Sequence, residues 1–315
     1  MDSNVDVSQA PVPDDDAVTR ADLTEAVRAT ALLADLTISL WSGERTDRKV
    51  GDKIKEDAGA VGNTGKYIKN LLAGCDTELK DVKAAYMAAR AAHYELTLPW
   101  VSKPVSALQR MQGPRLLPNM LFDKYLTEMS KLRRTAMGKR DNFVLMYPDL
   151  VLRAQANLAG MAAPEDYPDQ EEIRESFKLS FDFLPIPSAG AFQGLPDGML
   201  ERLGKQLKAR QLSAVNTAQA EMWGRVKDVV GKMIERLDDP TATFKVNTID
   251  NVRELLVLLP GFNCAGDDRV NTVVSDIDRM LDGITPKMLR QSQEARADVA
   301  RQAKAINNKL ASWGL

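Results

Sequence analysis

The chain has 315 residues, 44% of them hydrophobic and 6% aromatic, with 42 basic and 44 acidic residues and a formal net charge of −2. That length supports one large domain or two lobes around a sizeable core. The near balance of charge excludes a global field drawing the protein to nucleic acid or anionic lipid, so any such contact has to come from a local patch.

The opening stretch MDSNVDVSQAPVPDDDA has no basic start and no apolar core, which excludes a secretory signal. Residues 1–18 read as a disordered acidic tail, too poor in apolar side chains to offset the entropy of ordering. A helix is expected over 19–36, with Leu23, Val27, Thr30 and Leu33 on one side. LTISLWSG (36–43) then alternates, with Leu36, Ile38 and Leu40 on one face, and marks a short strand. The polar, Gly-punctuated stretch 44–66 reads mostly as loop, with one or two helical turns.

From Thr77 the spacing of Leu79, Val82, Tyr86, Ala89, His93 and Leu96 in threes and fours is the seam of a long helix that packs on another. Pro99 and Pro104 break it. A second long helix begins near Asn119 and carries Phe122, Tyr125, Met129, Leu132, Ala136 and Phe143. Pro148 either kinks it or starts a new helix that continues to about Gly160. Residues 168–177 form a short helix with Asp169, Glu171 and Glu172 in its first turn, where the helix dipole favours acids.

Phe177, Leu179, Phe181 and Phe183 then alternate with polar residues until Pro185 and Pro187 close the strand. A lone strand leaves its backbone unpaired, so it needs a partner. The other alternating segment, 36–41, is expected to supply it, with 93–101 as a third strand. After Gly198 the apolar spacing supports one helix of nearly forty residues, about 60 Å long. Helices over 248–259 and 271–281 follow, with a loop over 260–268 between them. A last helix starts at Thr285-Pro286 and runs to about Trp313. The expected fold is therefore mainly α, with long antiparallel helices and a small β-sheet of two or three short strands. The expected organisation is the 1–18 tail, a helical lobe at 19–165 with one or two strands, and a second lobe at 166–315 opening with a strand, the two packed as one unit.

Candidate chemistry is sparse. GAVGNTGK (59–66) has Ala60 and Tyr67 where a phosphate-binding P-loop needs Gly and Ser or Thr, so a plain turn is favoured over an anion cradle at a helix start. His93 is the sole histidine and lies on the apolar seam, which favours a satisfied core histidine over a catalytic one. Cys75 and Cys264 are the only cysteines, far apart and without a CxxC neighbour. They fit ordinary thiols in a reducing compartment and support neither zinc nor redox chemistry. Glu171-Glu172 is better explained by the helix dipole than by acid–base work. Lys131, Arg133, Arg134, Lys139 and Arg140 form a basic segment with no interleaved aromatics to stack on bases, so a solvated helix face is favoured over nucleic-acid contact. No cofactor, no metal and no bilayer-spanning run is expected, and no active site assembles.

HYELTLPW (93–100), GPRLLPN (113–119), FVLMYPDLV (143–151), DYPDQEEIRESFKLSFDFLPIP (166–187) and NVRELLVLLPGFNCAGDD (251–268) together resemble an uncharacterised family of tailed-phage and prophage proteins of unknown function. Typical members look like HY-x-x-TLPW, G-x-RLLP, a YP-hydrophobic pair, a YPS-x-EE segment and an LP-x-hydrophobic-N-x-x-GD close. Here Asp169 stands where Ser is usual, and Cys264-Ala265 where Leu-Thr is commoner. The resemblance implies phage origin and a helix-rich fold, often beside DNA-metabolism or ATPase genes, and carries over no site residues.

The expected function is that of a non-enzymatic protein in the host cell cytoplasm, whose partner is itself or another phage or host protein. Its expected interface is the C-terminal seam of Ile306, Leu310 and Trp313, close to the chain end. The alternative is a single-stranded DNA accessory protein using the basic segment with Lys66 and Lys69.

Overall fold

The computed structural model describes residues 15–62, 64–101, 113–188, 194, 196–239 and 246–315. Helix dominates these residues, as the composition implies. In chain order the elements are α1 (Asp15–Thr30), β1 (Ala31–Ser39), β2 (Glu44–Thr46), α2 (Arg48–Asp57), β3 (Ile68–Asn70), α3 (Thr77–Leu96), β4 (Leu98–Pro99), β5 (Arg115–Pro118) and α4 (Phe122–Leu158). There follow α5 (Gln170–Ser176), β6 (Lys178–Leu184), α6 (Asp197–Asp238), α7 (Val246–Phe262), α8 (Asp268–Leu281), α9 (Pro286–Gln291) and α10 (Gln293–Ser312). The strands make a four-stranded sheet in the order β4-β5-β1-β6 and a separate two-stranded ribbon, β2-β3. The expectation of two or three strands is thus too low.

Several boundaries differ from those expected. Residues 15–18 belong to α1, not to a tail, while the rest of 1–18 lies outside the described residues. The first strand starts at Ala31, inside the segment expected as helix. The reason is tertiary: Ala31, Leu33 and Ala34 are buried, and Ala31 to Ala34 pair antiparallel with Pro118 to Arg115. Cross-strand pairing of that kind overrides a modest helix preference. β1 and β6 are hydrogen-bonded neighbours, and β4 falls within the 93–101 stretch. Residues 44–66 hold a strand and a ten-residue helix, α2, and not mostly loop. Helix α7 runs through Pro260 to Phe262, and the last helix is two, because Ser292 ends α9 and caps α10 by accepting the Ala295 N–H at 3.1 Å.

The chain divides into two compact units, each discontinuous in sequence. One comprises Met1–Asp35, Leu96–Phe122 and Phe183–Leu315; the other comprises Leu36–Glu95 and Asp123–Asp182. The division does not follow the 165/166 boundary. In the first unit, α6 buries Ala214, Val215, Ala218, Met222, Val226, Val230, Met233 and Leu237, and packs on α1, α7 and α10. Gly261 is required where α7 meets Leu121, because a Cβ there would lie 2.8 Å from Leu121 Cγ.

In the second unit the α3 residues Leu79, Val82, Tyr86, Ala89 and His93 are buried as the spacing predicts. An aromatic cluster forms the centre. Trp41 meets Phe143 and Tyr147 at 6.2 and 5.7 Å, and Phe177 meets both Tyr86 and Phe143 at 5.9 Å. Such tilted and edge-on pairs add about 0.5–1.5 kcal/mol each beyond buried area.

Helix α4 keeps Pro148 inside it, where the ring removes the N–H that would bond the Val144 carbonyl. Gln170 replaces it: its Nε2 donates to Val144 O at 2.8 Å. One residue before the proline, the Tyr147 hydroxyl donates to Pro168 O at 3.1 Å. The segment entering α5 therefore supplies the backbone partner that Pro148 takes away, so α4 can run unbroken for 37 residues.

Candidate functional site: the outer face of α4

At about 3.6 residues per turn, the two sides of α4 separate cleanly. Tyr125, Met129, Ala136, Phe143, Tyr147, Leu150 and Ala154 form the buried side. On the opposite side lie Arg134, Gly138, Asp141, Leu145, Pro148, Leu152 and Ala156, all exposed and spaced by threes and fours. The C-terminal half of that outer row is apolar. Leu145 is 75% exposed and Leu152 67%, with exposed Pro148 between them, so the three form one apolar patch. Asp149 and Arg153 stand along one flank of the apolar row. Both are exposed, and neither makes an ion pair or hydrogen bond among the described residues.

The basic segment lies one to three turns earlier on the same helix. Three of its members meet acids: Lys131 is 3.6 Å from Glu128, Lys139 is 3.5 Å from Asp81, and Arg140 is 2.8 Å from Asp141. Arg133 and Arg134 are exposed with no acidic partner among the described residues. The segment is mostly a charge-balanced helix surface, with two free guanidinium groups.

Lys69, the other cation considered for DNA, is not free for it. It is 3% exposed, and its Nζ donates to Met161 O at 2.9 Å while lying 3.2 Å from Asp47 and 2.5 Å from Asp166. Burial pulls the lysine pKa down, but the bonds to Asp166 and Asp47 outweigh it and hold the ammonium above its ordinary range. Asp47 caps α2 by accepting the Val50 N–H at 3.1 Å, and that bond, followed by the one from Lys69, holds its carboxyl below the usual range. Arg45 reaches Asp166 at 3.2 Å and Glu165 O at 3.1 Å. This ionic cluster fastens α2, which buries no side chain of its own, to the turn after α4. Sequence spacing does not show it, because its members lie about a hundred residues apart.

The remaining candidates have structural places. The Gly59–Lys66 stretch follows the C-terminal end of α2 and precedes β3, so no helix start stands behind it to help hold an anion; Asn63 lies outside the described residues. His93 is buried and shares a 2.8 Å hydrogen bond between Nδ1 and the Tyr125 hydroxyl. Glu172 completes a capping box. Its carboxylate accepts the Asp169 N–H at 3.2 Å, while its own N–H donates to Asp169 Oδ1 at 2.8 Å. Cys75 is half-buried, and burial pushes the Cys264 thiol up to about 11. Among the described residues no His, Cys, Asp and Glu group has a metal-holding arrangement, and no helix is long and apolar enough to cross a membrane.

The C-terminal seam needs correction. Ile306 and Leu310 are 4% and 0% exposed, packed within the chain as α10 lies on α6 and α8. Trp313 sits edge-on to Trp223 at 6.2 Å, and Arg269 covers both rings at 5.8 Å. These side chains are consumed by their own fold and leave little surface for a second copy. A seam spacing shows that a helix packs, but not on which chain.

No protein family, curated protein or solved structure matches the chain in comparison with known proteins.

Proposed function

We propose that the chain is a non-enzymatic, phage-encoded protein that acts by binding other proteins, as an adaptor or assembly component in phage DNA metabolism or host takeover within the host cytoplasm. The phage setting rests on the ordered sequence resemblance. The binding role rests on one observation: the exposed Leu145-Pro148-Leu152 row on a helix whose opposite face is fully used in the core. Contiguous large apolar side chains left in water mark interaction surfaces. The test is affinity capture from infected cells, with nuclease, using the tagged protein and its Leu145→Glu/Leu152→Glu variant. Partners held by the wild type and lost by the variant are expected; identical captures for the two would refute the reading.

A second reading, single-stranded DNA binding, is favoured only by the exposed Arg133 and Arg134. It requires a gel shift at low ionic strength that weakens steeply with salt and with Arg133→Glu/Arg134→Glu. No shift would remove it.

A further inference from the structure

We propose that residues 45–69 form a lid over the turn at 161–166, which opens and closes as a unit about a fixed neck while the rest of the chain stays folded, with the buried Lys69 ammonium as its latch. The inference goes beyond the protein-binding reading and does not depend on it.

The segment has its own backbone frame and almost no core. Arg45 and Thr46 pair antiparallel with Lys69 and Ile68, and the Asp47 N–H donates to Tyr67 O at 3.0 Å. Among the described residues of 45–69, Lys69 alone is buried. β2 is exposed throughout, α2 buries nothing, and the large apolar side chains of Ile54, Val61 and Ile68 all face water. Without a buried apolar side chain, the segment has no hydrophobic term to set against the entropy of ordering it. A ten-residue helix such as α2 is marginal by itself as well. What holds the segment down therefore lies outside it.

The holding contacts converge on one turn. Lys69 Nζ lies 2.5 Å from Asp166 and donates to Met161 O at 2.9 Å. Arg45 reaches Asp166 at 3.2 Å and Glu165 O at 3.1 Å, and the Tyr67 hydroxyl lies 4.0 Å from the Met161 sulfur. Among the described residues, no other hydrogen bond or ion pair leaves 45–69. The neck, by contrast, is anchored. Gly43 O accepts the Leu71 N–H at 2.8 Å and so ties the two ends of the segment together. Leu71 and Leu72 are buried, and Gly43 packs so closely that a Cβ on it would lie 2.6 Å from Leu79 Cδ2 in α3.

An ionic latch suits reversible opening. Release returns one ammonium and its carboxylates to water, and their hydration recovers much of the attraction lost. An apolar latch would instead expose hydrocarbon on every opening. Opening of 45–69 uncovers the Asp166 carboxylate and the Met161 and Glu165 carbonyls while adding little apolar surface.

The test is hydrogen–deuterium exchange of the full chain at neutral pH, read by mass spectrometry, with folding checked by circular dichroism. Peptides across 45–69 are expected to exchange about a hundredfold faster than those of buried α3, at rates that change little with urea below the unfolding transition. Lys69→Met is expected to speed exchange in 45–69 about another tenfold and to leave α3 and α4 unchanged. Asp166→Asn, which keeps the shape of the acceptor and removes its charge, is expected to act in the same direction, and it decides the matter if Lys69→Met does not fold. Protection of 45–69 equal to that of α3 overturns the inference. So does exchange in 45–69 that ignores both substitutions, or that rises together with exchange in α3 and α4.

Discussion

Gln170→Leu is the sharpest probe of how this fold tolerates a proline in the middle of its longest described helix but one. The Val144 carbonyl has lost its helical donor to Pro148 and is bonded at 2.8 Å by Gln170 Nε2. Val144 is 2% exposed, so the lost bond is not readily replaced by water. A buried acceptor left unpaired costs about 1–3 kcal/mol. Gln170 itself is exposed, so water can approach from its side, and the expected loss lies near the low end, about 1 kcal/mol. Pro148→Ala returns an N–H to the same carbonyl and makes Gln170 dispensable for it. The two substitutions should therefore couple, with Gln170→Leu costing about 0.5–1 kcal/mol less in the Pro148→Ala background. Equilibrium urea unfolding of the four chains measures this from the shift in midpoint at constant slope. Equal costs of Gln170→Leu in both backgrounds would refute the idea that the glutamine stands in for the missing N–H.

Gly261→Ala is expected to destabilise, because overpacking against Leu121 at 2.8 Å costs about 1–3 kcal/mol while the helix gain is only about 1 kcal/mol. Gly231→Ala in α6, with nothing within 4 Å of the new methyl, should instead stabilise by about 0.5–1 kcal/mol, and thermal melts of the two variants should move in opposite directions. Leu179→Asp should abolish folding, since it places a carboxylate at a site 4% exposed; Phe181→Asp, on the half-buried part of β6, should be milder, and soluble yield with near-UV dichroism ranks the two. With its thiol raised to about 11, Cys264 is about one part in a thousand thiolate at pH 8. A chromogenic disulfide reagent at that pH should therefore titrate one thiol, Cys75, in the native chain and both after denaturation. Rapid reaction of two native thiols would contradict the burial of Cys264.

The sequence by itself determined the elements whose signal is periodic and long. The seam of α3, the length of α6 and the alternation of β6 are visible because each buries one face, and a buried face imposes period 3.6 or 2 on the chain. The α5 start was legible only as an acidic first turn over 168–177: the helix begins at Gln170, and Asp169 stands before it as the N-cap, with Glu172 closing the capping box. Tertiary structure alone decided three things. RLLP became strand β5 although all four residues are buried and show no alternation, because both its edges are paired, by β1 and β4. Lys69 became a buried structural cation because Asp47 and Asp166, distant in sequence, converge on it. And it decided which stripe stays free: α10 and α4 both carry apolar rows, yet Ile306 and Leu310 found cover within the chain while Leu145 and Leu152 did not. Spacing along a helix records that a face is apolar. What covers that face depends on where every other helix ends up, which no local pattern encodes.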